Sequence, residues 1–146
     1  MVLLVLVIPM PYLTLELNAE VKSAIESIRL KAGSLMELGD VTKKSVPKMT
    51  LVSEPLNGGL LNTRSFIPHR VHASIGVFAA ITVATACVIP NTVAASFAPL
   101  PDGGIYKIEH PSGCSKVRLE FDDNGVIGRT GIIRTARKLM DGAVYS

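Results

Sequence analysis

Two histidines and an arginine stand together in Pro68-His69-Arg70-Val71-His72, and the stretch that follows, to Ala94, is almost wholly apolar. Imidazoles accept, donate or relay protons near neutral pH. A guanidinium grips a carboxylate through two parallel hydrogen bonds. A helix starting near Val71 to Ser74 would add its unpaired N–H groups and its dipole, a ready anion site. The candidate substrate-binding set is therefore His69, Arg70, His72, Ser74, Ile75 and Gly76. Arg70 would hold the charge, Ser74 would donate a hydroxyl, and Gly76 would let backbone or ligand approach closely. A capped helix with surface histidines fits the same spacing, and spacing alone leaves both readings open.

Other reactive residues are more ambiguous or bland. If "RTARKLMDG" is a strand, Arg134 and Arg137 face opposite sides, so one could meet an anionic substrate while the other is solvated. His110, before the turn "HPSG", reads as structural, and Glu120, Asp122 and Asp123 as a solvated strand end without a calcium-loop pattern. No phosphate loop, GxGxxG, HExxH or GxSxG motif occurs. Neither a metal nor a cofactor is expected, and no catalytic residue can be assigned. Cys87 and Cys114 lack CxxC spacing, which argues against a disulfide framework or a zinc site. Cys87 reads as a small core hydrophobe, and reduced thiols point to an intracellular, cytoplasmic protein.

The elements that would position these residues follow from periodicity. Val2 to Ile8 reads as a buried strand ended by Pro9, too short to span a bilayer and without a signal peptide's basic start. Asn18 can cap a helix through about Leu38, with Val21, Ile25, Ile28, Ala32 and Leu35 forming its apolar stripe and Arg29 on another face. Val46 to Val52 reads as a strand, "EPLNGGLLNTRS" as a loop, and Phe66-Ile67 as a short strand. Val71 to Val88 reads as a second helix without a polar face, hence buried on all sides. Strands follow in "GGIYKIEH" and "KVRLEFDD", with Val117, Leu119 and Phe121 inward, and strand-like segments close the chain, joined at Asp141-Gly142. The architecture expected is α+β: a curled, mostly antiparallel sheet around a central hydrophobic helix.

Composition narrows the partners. The 146 residues suffice for one domain with a real core. Hydrophobic residues make up 48% and charged residues 18%, with mean hydropathy +0.39, so some apolar surface expects a partner. The net charge is +3, but the basic residues are scattered and Trp is absent, which argues against nucleic acid. A membrane partner is not expected either.

Three stretches in order, "FIPHRVHASIGVFAAITVATACVIPNTVA", "IEHPSG" and "RTARKLMDGAVY", resemble the C-terminal half of the PrpF family. The resemblance covers nearly the whole chain. It implies a diaminopimelate epimerase-like fold, in which two similar halves each curl a sheet around a central helix and the substrate lies in the cleft between them. It implies an isomerase or tautomerase that moves a double bond by proton transfer in small unsaturated polycarboxylates of the aconitate, methylitaconate or oxalomesaconate type. The partner implied is a small di- or tricarboxylate anion. Residues 1–146 would be a single C-terminal domain, with the N-terminal domain absent. In the family that half carries an Asn-Cys-Gly-type loop and a lysine implicated in proton transfer, and no stretch here matches them. The expectation is a carboxylate-binding half, inactive alone, that joins a complementary N-terminal half or another copy of itself. The alternative is a non-catalytic remnant or self-associating binding module.

Overall fold

A computed structural model describes residues 3–7, 19–97 and 101–145, the first five by their backbone. The described elements run β1 (Leu3–Val7), α1 (Ala19–Leu35), β2 (Lys48–Ser53), β3 (Leu61–Phe66), α2 (Val77–Val88), a 3-10 turn (Ala94–Ser96), β4 (Ile105–His110), β5 (Gly113–Phe121) and β6 (Ile127–Ile133). The chain is α+β. The six described strands form one sheet in sequence order. The β2/β3, β4/β5 and β5/β6 pairs are antiparallel, and β1/β2 and β3/β4 are parallel. Parallel neighbours need a crossover, and the two helices supply it, α1 between β1 and β2, α2 between β3 and β4.

The two helices cover opposite faces. Met49, Leu51 and Phe66 pack with Ile25 of α1. Val52, next in the chain to Leu51, joins Leu61, Tyr106, Ile108, Val117 and Leu119 around α2. Adjacent strand residues point to opposite sides, so the pleat divides the core in two. Helix α2 lies against β4 and β5 and also reaches the two outer strands, β1 and β6.

Several expectations need correction. The loop reading of "LLNTRS" is wrong: Leu61 to Phe66 is a strand in the middle of the sheet, with five of its six residues buried. Its run of Asn, Thr, Arg and Ser hides a strand because those polar groups find partners there. Thr63 Oγ1 donates to the Glu109 carbonyl at 2.7 Å, and Arg64 donates to Asn62 Oδ1 at 2.7 Å. Helix α2 begins at Val77 rather than Val71. Val71 bridges to Phe66, and the His72 N–H donates to the Ser65 carbonyl at 2.8 Å, which keeps that chain extended. Nor is α2 buried on all sides, since Phe78 is 67% exposed.

Helix α1 ends at Leu35, whose side chain is exposed, while its stripe partners Ile25 and Ala32 are buried. Arg29, on a face other than the apolar stripe, is fully buried. Phe121 is exposed because the β5/β6 register slips between Glu120 and Phe121. Residues 134–145 form no strand and are exposed. The expected cap Asn18 lies outside the described residues.

Candidate functional site

The β2/β3 register sets Thr50 directly across from Ser65. Both are buried, and their hydroxyl oxygens lie 3.0 Å apart. Lys48 precedes Thr50 by two residues and so shares its face. Above them stands the start of α2. Gly76 caps it in an extended conformation (φ −67°, ψ 151°), with no side-chain cap. The Ala80 N–H donates to the Gly76 carbonyl at 2.9 Å and opens the helical ladder. The N–H groups of Val77, Phe78 and Ala79 therefore fall in the first turn, where no intrahelical acceptor exists.

Lys48, Thr50, Ser65, Ile67 and residues 76–79 together line a pocket of about 80 Å³. That is the share of two to three waters, at ~30 Å³ each, a fit for one carboxylate group. The arrangement offers an ammonium, two hydroxyls and the positive end of a helix. It can hold negative charge. Lys48 is the one ionisable side chain in the lining.

The residues singled out in the sequence do not converge there. Gly76 lines the pocket; the other five do not. His69 turns to α1, its Nδ1 3.5 Å from Glu26 Oε2. Glu26 is itself engaged by Arg29, whose Nε donates to Oε2 at 2.7 Å and whose Nη2 donates to Oε1 at 2.8 Å. The Arg29 hydrogen bond is the main reason the Glu26 carboxyl stays below its usual pKa. Arg70 is exposed, and its carbonyl accepts the Ile67 N–H at 3.0 Å. His72 is exposed with Nδ1 3.0 Å from the Ser74 carbonyl. A carbonyl only accepts, so Nδ1 carries the proton. Ser74 is half-buried, and Ile75 belongs to the core around α2. Pocket residues Lys48, Thr50 and Ser65 were missed. Alternation in "KMTLV" places Lys48 and Thr50 on one face, but Ser65 required recognising β3.

A cavity of about 480 Å³ opens at the other end of the sheet, lined by Gly58, Gly59, Leu60, Phe97, Ile105 and Lys107 among others. Lys107 is its charged residue, and Lys107 Nζ already donates to the Asn57 carbonyl at 3.1 Å. Burial pushes the Cys87 thiol up to about 12, which keeps it protonated and inert. Among the described residues no group of three or more His, Cys, Asp or Glu could hold a metal ion, and no helix is long and apolar enough to cross a membrane.

The family profile described as "PrpF protein" matches residues 11–146. The chain belongs to the PrpF family. It is 55% identical over 134 residues to the (4E)-oxalomesaconate Delta-isomerase of Novosphingobium sp. (strain KA1), covering 90% of this chain and 38% of that protein. It is 52% identical over 136 residues to the 4-oxalomesaconate tautomerase of Pseudomonas putida KT2440, covering 92% and 37%. The putative isomerase YbhH of Escherichia coli K12 is 38% identical over 151 residues, covering 97% and 43%. The chain thus spans about two-fifths of the length of these relatives. A crystal structure of methylitaconate-delta-isomerase shares the fold, with a TM-score of 0.71 at 23% identity over 90% of this chain and 39% of that one.

Proposed function

We propose that this PrpF chain is the carboxylate-binding, C-terminal part of an isomerase or tautomerase acting on small unsaturated polycarboxylates. The observation that carries the reading is the pocket at the start of α2, where Lys48, Thr50, Ser65 and the first-turn N–H groups meet. The relatives named as oxalomesaconate isomerase and tautomerase supply the reaction class.

Moving a double bond by proton transfer removes a proton from one carbon and delivers one to another. Between those events an electron pair spreads from the carbanion onto a conjugated carboxylate. A carboxylate seated in the pocket would gain that charge beside the Lys48 ammonium and the α2 amides. Donors that meet more charge in the transition state than in the ground state lower the barrier. The pocket lining offers no acid–base pair to move the proton itself. We therefore assign the proton-transfer groups to a complementary N-terminal half, and regard the chain alone as binding without turnover. Exposed Val77 and Phe78 at the pocket's rim fit a site that this half, or a second copy, closes. A sheet curled around α2, epimerase-like, is supported by the reach of α2 to both outer strands. His69, Arg70, His72 and Ser74 then belong to the approach to the pocket, with Arg70 meeting the substrate's outer charge. We place the reaction in the cytoplasm, where free Cys87 and Cys114 stay reduced.

Calorimetric titration of the chain with trans-aconitate tests this. Binding is expected, weakened about tenfold or more by Lys48→Gln, with no conversion until an N-terminal half is supplied. Absence of binding, or affinity untouched by Lys48→Gln, rejects the pocket. A stable dimer without tricarboxylate binding would favour a non-catalytic, self-associating module.

A further inference from the structure

Helix α2 starts without a cap of its own. Gly76 offers no side chain there, and no acidic residue stands in the first turn. The N–H groups of Val77, Phe78 and Ala79 are thereby left open to a ligand, and the 72–75 segment that leads to them sets where they stand. That segment is tied to the sheet on two sides. The His72 N–H donates to the Ser65 carbonyl at 2.8 Å, and the Ala73 carbonyl accepts the Ser112 N–H at 3.0 Å. Ser65 belongs to the pocket wall, and Ser112 to the turn between β4 and β5. Ile75 adds an anchor in the core around α2.

The β4–β5 turn is shaped to make its half of this contact. His110 lies across from Gly113, so Pro111 and Ser112 alone cross between the strands. The hydrogen bond of such a turn joins its first and fourth residues. Pro111 has no N–H, and the Ser112 N–H is free to reach the loop. Leu61 lies across from Ile108 in the parallel pair. Two residues on, His110 comes level with Thr63 on the α2 face, and the turn beyond it with Ser65. The His110 ring braces the turn, its Nδ1 3.3 Å from Ser112 Oγ. Burial lowers the pKa of the ring and the charges of Arg134 and Arg64 add to this, against the Ala73 carbonyl, which favours the protonated form. The ring is thus neutral at pH 7, with one nitrogen to donate and one to accept.

We propose that His110 and Ser112 are positioning residues of the pocket: through the Ala73 carbonyl they fix where the first N–H groups of α2 stand over Thr50 and Ser65. The proposal rests on that pocket receiving a carboxylate. Neither residue lines the pocket. With the turn in place the amides meet the anion already aligned, so ordering the loop takes nothing from the binding free energy. Without it the loop keeps its ties to Ser65 and the core but can swing at Ala73, and the donors lose their common aim.

The test titrates the full chain with trans-aconitate by calorimetry, under conditions where circular dichroism shows each variant folded. His110→Phe keeps a ring without its nitrogens. It should weaken binding about tenfold and shift the Val77 and Phe78 amides in ¹H–¹⁵N spectra of the free protein. His110→Asn returns a polar group near the Nδ1 position and should recover most of the affinity. Ser112→Ala removes the hydroxyl alone and should weaken binding about threefold, which decides the matter if His110→Phe does not fold. A residue that only stabilised the fold would move the urea midpoint and leave the affinity of the folded protein and those amides unchanged. If His110→Phe and Ser112→Ala bind like wild type, if Val77 and Phe78 do not shift, or if His110→Asn recovers nothing, the positioning role is overturned. The pocket still stands in those cases provided Lys48→Gln weakens binding. If the wild-type chain does not bind trans-aconitate, the pocket fails and the positioning role with it.

Discussion

The carboxylate of Glu109 and the backbone of Gly59 leave no room between them for a side chain. Glu109 Oε1 accepts the Gly59 N–H at 2.7 Å, and a Cβ placed on Gly59 would stand 2.6 Å from Glu109 Cγ and 2.9 Å from the Lys107 carbonyl oxygen. Backbone and a hydrogen-bonded carboxylate cannot yield cheaply. Gly59→Ala should therefore lower stability by about 1–3 kcal/mol. Urea unfolding checks this: the midpoint falls while the slope against urea holds. An unchanged midpoint would mean that the 54–60 loop adapts freely.

The same carboxylate gives the fold an acid-sensitive clasp. Glu109 also accepts the N–H groups of Leu56 at 2.8 Å and Asn57 at 2.7 Å, and the Asn62 side-chain amide at 3.2 Å. Burial by itself would raise its pKa. The N–H groups of Leu56, Gly59 and Asn57, with the Lys107 charge, outweigh burial and hold the carboxyl below its ordinary value. A depressed folded-state pKa contributes stability that is complete above the unfolded value of ~4.3 and is lost as pH falls through the lower folded value. Glu109→Gln should thus cost most near pH 6, and the gap to wild type should narrow towards pH 3. A gap independent of pH between 6 and 3 would contradict the charged clasp.

Arg29 is a structural cation inside a helix-to-sheet junction. Its Nη1 donates to the carbonyls of Val41 (3.1 Å), Lys44 (3.1 Å) and Val46 (2.9 Å), which folds the 41–46 segment onto α1. Arg29→Met keeps the length but leaves those carbonyls without their donor, and Glu26 without its partner. The expected loss is about 2–4 kcal/mol. Hydrogen exchange should show protection lost across 41–46 before it is lost in β3. Full protection there in the Met variant would assign the segment's order to something else.

Periodicity exposed what depends on one face of one element. The α1 stripe at Ile25 and Ala32, the alternation of Val117 and Leu119, and the apolar α2 were all legible for that reason. What stayed hidden depends on neighbours in space. Leu61 to Phe66 carries four polar residues in six, and it reads as a strand only once Glu109 and Ser65's partner Thr50 are beside it. The burial of Arg29 was not legible because its three carbonyl partners lie twelve to seventeen residues away in the chain. The site followed the same rule. Gly76, one of the residues singled out in the sequence, does cap α2, but six residues assigned to the helix are spent crossing from β3. His69 is consequently drawn to α1, and the polar walls of the pocket come from β2 and β3.

Gly33 poses the last question, because helix propensity and packing disagree about it. A glycine inside an exposed helix costs about 1 kcal/mol against alanine, so propensity alone expects Gly33→Ala to stabilise α1. Yet a Cβ at Gly33 would stand 2.4 Å and 2.9 Å from the two Val41 methyl carbons. Val41 is buried, and its carbonyl is held by Arg29, so it has little freedom to withdraw. Packing should win, with a net loss of about 1–3 kcal/mol. Val41→Ala alone should also destabilise, by opening a cavity. In the double variant the two methyl-sized changes compensate, so its loss should fall short of the sum by about 1–2 kcal/mol. Thermal unfolding of all four proteins measures that coupling, and strict additivity would show that Val41 is not what keeps residue 33 a glycine.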